Sequence, residues 1–173
     1  MGLFYEVLSA INNPNQPAST DQLSLILNTV QQVAGSRGLS PATTQTLMSV
    51  LGGHVRSALQ QQRMTSGGSQ LETMLSQFGG TDATMGLLQS LFTPQQQQQM
   101  LQDTVQRTGI SADTVKAILP TLLPAVLNLL KMGSAGSQGS NTILSAFLDS
   151  DKDGDADLGD AMVFANRFLN PSR

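Results

Sequence analysis

The chain has 173 residues, of which 39% are hydrophobic, 4% aromatic and 12% charged, and it contains no cysteine. A chain of this length forms one ordinary domain, with at most a short appendage, and can bury a sizeable core. The lack of cysteine excludes disulfides, thiolate metal ligands and cysteine nucleophiles. Six of the twelve acidic residues lie between Asp149 and Asp160. No basic cluster with interleaved aromatics is found elsewhere, so we expect no nucleic-acid partner.

The N-terminal segment, MGLFYEVLSAINN, lacks the basic and long apolar regions of a secretory signal. The longest apolar run, residues 117–130, spans about 14 residues, which is too short to cross a bilayer. We therefore expect a buried core helix at this run, no transmembrane segment, and a cytoplasmic protein.

Helix signals recur along the first half. Apolar residues at helical spacing predict a helix over residues 4–11 and a second that Thr20 caps and that Gly35 and Gly38 stop. Ser40 is a good N-cap for a third helix, with Pro41 at its first position, where a missing N–H costs nothing.

The second half continues the pattern. Short helices are predicted around residues 71–78 and 81–92, a longer one opens at Thr93-Pro94, and Ser111 caps the next. No alternating pattern predicts a strand, so the fold class is all-α. We expect about seven to nine short helices.

Several positions should interrupt these helices. Gly52 and Gly53 are expected to kink the third helix or to let a neighbouring helix approach closely. Pro120 and Pro124 each remove a donor and should kink or divide their helix. Residues 133–140, GSAGSQGS, have the composition of a flexible linker.

The chain also contains an internal repeat. Residues 38–59 align without gaps on residues 109–130, and six pairs are identical: Gly38/Gly109, Ser40/Ser111, Thr43/Thr114, Leu51/Leu122, Val55/Val126 and Leu59/Leu130. Further matches in the same order predict halves at about 20–78 and 93–147. We therefore divide the chain into a duplicated helical domain (1–132), a linker (133–140) and a C-terminal segment (141–173).

Four of these features together resemble a known family. They are the opening MGLFYEVLSAI, the G-x-S-x-x-T helix start, the ILP-x-LLP stretch and the closing aspartate-rich loop. The chain is similar to a bacterial domain-of-unknown-function family, the one catalogued as number 937. The resemblance implies an all-helical fold and brings no activity or substrate with it.

The aspartate-rich loop resembles the calcium loops of EF-hand and dockerin modules. If Asp149 is position 1, the other acidic residues fall at positions 3, 5, 7, 9 and 12: Asp151, Asp153, Asp155, Asp157 and Asp160. Calcium takes six to eight oxygen ligands, and this spacing supplies them from one turn, with Gly154 at position 6. Position 7 would contribute its backbone carbonyl oxygen. We expect these six aspartates to bind Ca²⁺; the alternative is a solvated acidic linker.

Apolar residues flank the loop on both sides. Four form the incoming side, Ile143, Leu144, Phe147 and Leu148, and four are expected to form the outgoing stripe, Ala161, Phe164, Ala165 and Phe168. Asp160 replaces the usual glutamate at position 12, and Ala156 stands where a branched apolar residue is normal. Both changes indicate a weaker or slower site and leave competition by magnesium open. A single loop whose net negative charges repel one another is more typical of a structural site than of a sensor.

The leading functional hypothesis is a non-enzymatic calcium-binding interaction or scaffold protein, with an unknown protein partner or a second copy of itself. Two alternatives stay open. One is a small-ligand or lipid carrier with an apolar cavity under the helix that carries Pro120 and Pro124. The other is an enzyme of unknown class, for which His54, the only histidine, is the place to look.

Overall fold

A computed structural model describes residues 3–12, 20–77, 84–132, 142–149 and 158–169. Over these residues the chain forms α-helices and no strand, which confirms the all-α prediction. In chain order the helices are α1 (Leu3–Asn12), α2 (Thr20–Ser36), α3 (Pro41–Ser66), α4 (Gly68–Gln77), α5 (Thr84–Leu91), α6 (Pro94–Thr108), α7 (Ala112–Lys131), α8 (Thr142–Asp149) and α9 (Leu158–Leu169). The predicted linker, residues 133–140, lies outside the described residues.

The helix starts of α3 and α7 have the same geometry. Gly38 and Gly109 adopt positive φ angles of 65° and 70°, which favour glycine because it has no Cβ. Ser40 accepts a hydrogen bond from the backbone N of Thr43 over 3.1 Å and so caps α3. Ser111 caps α7 through the N–H of Thr114. The G-x-S-x-x-T motif is therefore a helix stop followed by a helix cap.

The other identical pairs of the repeat lie in the core. Three pairs are fully buried or nearly so: Leu51/Leu122, Val55/Val126 and Leu59/Leu130. They recur at helical spacing along the inner faces of α3 and α7. The internal repeat thus has a physical basis, because its identical residues either set helix ends or fill equivalent places in the core.

Helices of each half pack on helices of the other half. α2, from the first half, packs on α7 of the second, and α6, from the second half, packs on α3 of the first. α8 packs on α1, α3 and α7, while α9 packs on α1, α2 and α3. Buried residues from both halves and from α8 and α9 belong to one hydrophobic cluster.

The prolines do not divide α7, so this part of the prediction was wrong. The helix is continuous from Ala112 to Lys131 through Pro120 and Pro124. Both prolines are partly exposed, on the side where Lys116 and Asn128 face solvent. Water can therefore bind the carbonyl oxygens that lose a helical donor, and the cost of each proline is reduced.

α7 is also longer than the apolar run suggested. An 18-residue stretch within its 20 residues has a mean hydropathy of 1.3, so length and composition alone would allow it to cross a bilayer. Ten of its residues are buried among the other helices, the position expected of a core helix. The second proline lies in the middle of this packed segment, next to Leu123 and Ala125.

Gly52 allows a close approach between α3 and α9. A Cβ built on Gly52 would lie 2.8 Å from the Cβ of Leu158, whereas one built on Gly53 meets nothing within 4 Å. Leu123, fully buried, occupies the equivalent place in α7. At this position of the repeat the first half therefore has a glycine and the second a leucine. The side chain of Leu158, on α9, occupies the space beside the glycine.

Candidate functional site

The aspartate-rich loop joins the last residue of α8 to the first turn of α9. In the loop numbering α8 ends at position 1, Asp149, and α9 begins at position 10, Leu158. Four of the predicted ligands, Asp151, Asp153, Asp155 and Asp157, lie outside the described residues. Of the six predicted side chains, the described part of the chain places that of Asp160. It stands in the first turn of α9.

Asp160 is held by a residue that the sequence did not single out. Gln45, on α3, donates from Nε2 to Oδ1 of Asp160 over 2.8 Å, in a partly buried position. The positive end of the α9 dipole adds a favourable field for a carboxylate in the first turn. A glutamine on a polar helix face belongs to no motif, so the sequence carried no signal for this contact.

α3 also contacts the residue that precedes the aspartate-rich loop. Gln60 donates from Nε2 to the carbonyl oxygen of Leu148, near the end of α8, over 2.8 Å. Leu158, at the start of α9, packs against Gly52 in the middle of α3. One helix therefore holds the residues on either side of the aspartate-rich loop.

The buried face of α9 differs from the predicted one. Ala161 and Ala165 are buried as expected, but Phe164 and Phe168 are 43% and 49% exposed. The face that packs on the core is formed by Leu158, Ala161, Met162 and Ala165. Large aromatic side chains would not fit the close contact with α3, whereas alanine and the space over Gly52 allow it. The incoming side was predicted correctly, since Ile143, Leu144, Phe147 and Leu148 are buried.

A cavity of about 590 Å³ lies between α2, α3 and α9. Apolar side chains from all three helices form most of its wall: Leu27, Val30, Ala34, Met48, Met162 and Val163. Its volume is typical of small-molecule sites. The carrier alternative placed a cavity under α7, so this cavity lies at a different place from the expected one.

Polar groups stand at the end of the cavity near the C-terminus of α9. Gln31, on α2, donates to Oδ1 of Asn166 over 3.2 Å. Arg167 also lines the cavity and is exposed. It forms no hydrogen bond or salt bridge with any other residue that the structure describes. Arg167 thus places a cation next to the apolar wall.

His54 is paired with a carboxylate. Its Nε2 lies 3.0 Å from Oδ2 of Asp103, and the two side chains are 24% and 50% exposed. The pair joins α3 of the first half to α6 of the second. His54 does not line the cavity between α2, α3 and α9.

Comparison with known proteins identifies the family. Two overlapping stretches, residues 21–102 and 90–165, match the family described as "Bacterial protein of unknown function (DUF937)". The second match extends past Asp160, so the aspartate-rich loop lies within the second matched stretch. No curated protein and no solved structure matches the chain. The chain therefore belongs to the bacterial family DUF937, and the internal repeat predicted from the sequence is a tandem pair of matches to that family.

Proposed function

We propose that this protein is a non-enzymatic interaction or scaffold protein whose C-terminal helices are ordered by one calcium ion. The observation that carries the proposal is the register of the aspartates against the helix ends. α8 ends at position 1 and α9 begins at position 10, with position 12 in its first turn. A helix–loop–helix calcium site needs its ligands in this register.

Each of the six aspartates would supply a ligand to the calcium ion. Asp149, Asp151 and Asp153 each give a carboxylate oxygen, and position 7 gives the backbone carbonyl oxygen of Asp155. Asp157 binds directly or through a water molecule, and Asp160 closes the site. Gln45 remains bonded to Oδ1 of Asp160 and orients the carboxylate, as hydrogen bonds to metal-binding carboxylates commonly do.

The charge of the loop supports a structural role for the ion. Six aspartates and one lysine, Lys152, leave five net negative charges within twelve residues. Their mutual repulsion opposes a compact turn at short distances. A bound divalent cation would remove most of it. The ion would then stabilise the turn that brings α9 onto α3.

The departures from the EF-hand pattern indicate a modest affinity. Asp160 is shorter than the usual glutamate, so bidentate binding is harder, and one of its oxygens already accepts the bond from Gln45. Sensor proteins commonly open a Met-rich groove on binding calcium. Here both flanking helices pack into the common core, which favours a fixed structural site.

The proposed partner-binding surface is the outer face of α9. Phe164 and Phe168 lie one helical turn apart, and a little under half of each side chain is exposed. Exposed aromatic side chains are common anchors in protein–protein interfaces. A partner that binds this face would depend on calcium, because the ion fixes the start of the same helix. The partner is another protein or a second copy of this chain.

Isothermal titration calorimetry tests the calcium site with two variants, each of which removes one negative charge. Asp153→Ala removes a ligand carboxylate, and we expect it to abolish binding. Asp155→Ala removes a carboxylate but keeps the backbone carbonyl at position 7, so we expect an affinity within a few-fold of wild type. Equal heats in the wild type and Asp153→Ala, or equal losses in both variants, would refute the site.

Pull-down from native cells tests the scaffold role with the same variants. We expect a specific partner to be retained by the wild type and by Asp155→Ala, and to be lost from Asp153→Ala and on chelation. Phe164→Ala/Phe168→Ala should lose the partner while it keeps calcium binding. Retention of every partner by Asp153→Ala would contradict the role. Sedimentation velocity with and without calcium tests for a second copy as the partner.

A further inference from the structure

We infer that the cavity between α2, α3 and α9 binds a single-chain amphiphile with an anionic head, such as a medium- or long-chain carboxylate. The inference goes beyond the calcium proposal and does not depend on it. It rests on three observations, which are the apolar wall, the position of Arg167 at one end of the cavity and the bond from Gln45 to the carboxylate of Asp160 at the other.

The wall suits an aliphatic chain. Leu27, Val30, Met48 and Met162 supply apolar surface without an aromatic ring. Methionine side chains adapt their shape easily, so the cavity can accept a flexible chain. The cavity volume of about 590 Å³ exceeds what a small polar metabolite needs and lies well within the range of ligand pockets.

The anionic head group is inferred from the position of Arg167. This guanidinium lines the cavity and has no hydrogen bond or ion pair within the described part of the chain. Arginine binds carboxylates through two parallel N–H donors. Asn166 stands beside it and is already bonded to Gln31. A carboxylate at this end would face Arg167, the one cation among the described residues that line the cavity.

Without bound calcium, the other end of the cavity disfavours an anion. Gly159 and Gln45 line it there, and Gln45 is bonded to the carboxylate of Asp160. From Gly159 to Arg167 the helix rises about 12 Å at 1.5 Å per residue. The head therefore lies near Arg167 and the chain extends along α9 towards Gly159.

Calorimetric titration of lipid-free protein with octanoate, decanoate and dodecanoate tests the inference. The titrations contain a chelator, so their outcome is separate from that of the calcium proposal. We expect the affinity to rise by up to about four-fold for each added methylene until the cavity is filled. Decanol and decyltrimethylammonium, which share the chain but lack the anion, should bind more weakly than decanoate.

Two pairs of variants locate the site. Arg167→Gln should weaken decanoate binding about five-fold and leave decanol binding unchanged. Arg107→Gln, also in the last turn of a helix but on α6, is its control and should change neither. Gly35→Leu adds a side chain at the cavity wall, where a Cβ meets nothing within 4 Å, and should lower the affinity more than ten-fold.

Gly53→Leu is the control for the blocking variant. Gly53 is also helical with open space at its Cβ, but it does not line the cavity. Circular dichroism should show that both leucine variants are folded. The inference is overturned if decanol or the cationic amphiphile binds the wild type as tightly as decanoate. It is also overturned if Gly35→Leu and Gly53→Leu bind decanoate equally well.

Discussion

Gln45 donates a hydrogen bond to Asp160 over 2.8 Å and so ties the last residue of the aspartate-rich loop to α3. The two residues are 115 positions apart in the chain. The bond links a helix of the first repeat to the C-terminal helix that follows the loop. It gives the proposed calcium site a contact in the folded core.

The first prediction concerns this bond. Gln45→Ala should lower the calcium affinity about ten-fold, because loss of a residue that orients a metal ligand typically costs at least that much. Gln99→Ala, an exposed glutamine on α6, is the control and should leave the affinity unchanged. Calorimetric titration measures both. An unchanged or tighter site in Gln45→Ala would show that the bond does not orient a ligand.

The second prediction concerns Gly52 and Gly53. Gly52→Ala should destabilise the protein by about 1–2 kcal/mol, because the new Cβ would lie 2.8 Å from the Cβ of Leu158. Gly53→Ala should stabilise it by about 0.5–1 kcal/mol, since its Cβ meets open space and alanine is the better helix former. Urea denaturation of the two variants gives the sign of each change. Equal effects would contradict the close approach of α9 to α3.

The third prediction uses the repeat. Ser40→Ala and Ser111→Ala should each lower the free energy of unfolding by about 1 kcal/mol, the usual cost of losing an N-cap. The two values should agree because both serines cap their helix through the threonine three residues on. Chemical denaturation measures them. A cost at one serine and none at the other would show that the two helix starts are not equivalent.

The fourth prediction concerns His54 and Asp103. A double-mutant cycle with alanine should give a coupling energy below about 1 kcal/mol, because both side chains are partly exposed and water screens the pair. The same variants should retain full calcium binding. A coupling of several kcal/mol would show that the pair is more than a contact between α3 and α6.

Local signals predicted much of the fold. Caps, glycines and apolar spacing located the helices, because these features act within a few residues. The starts of α3, α6 and α7 at Pro41, Pro94 and Ala112 follow directly from such signals. The repeat was visible because its identical residues set helix ends and fill the core.

Contacts between distant helices could not be predicted in the same way. Phe164 and Phe168 looked like core residues by their spacing, yet the space over Gly52 favours the face with Ala161 and Ala165. The bond from Gln45 and the cavity beside it depend on how α2, α3 and α9 pack. No local pattern in a single sequence predicts how distant helices pack on one another.

Hydrogen exchange with and without calcium tests most directly the proposal that calcium binds the loop from Asp149 to Asp160 and orders it. Mass spectrometry would follow peptides from this loop, from α9 and from α6. We expect slower exchange with calcium in the loop and at the start of α9, no change in α6, and no effect of calcium in Asp153→Ala. Loop exchange that stays the same at a saturating concentration of calcium would contradict the proposal.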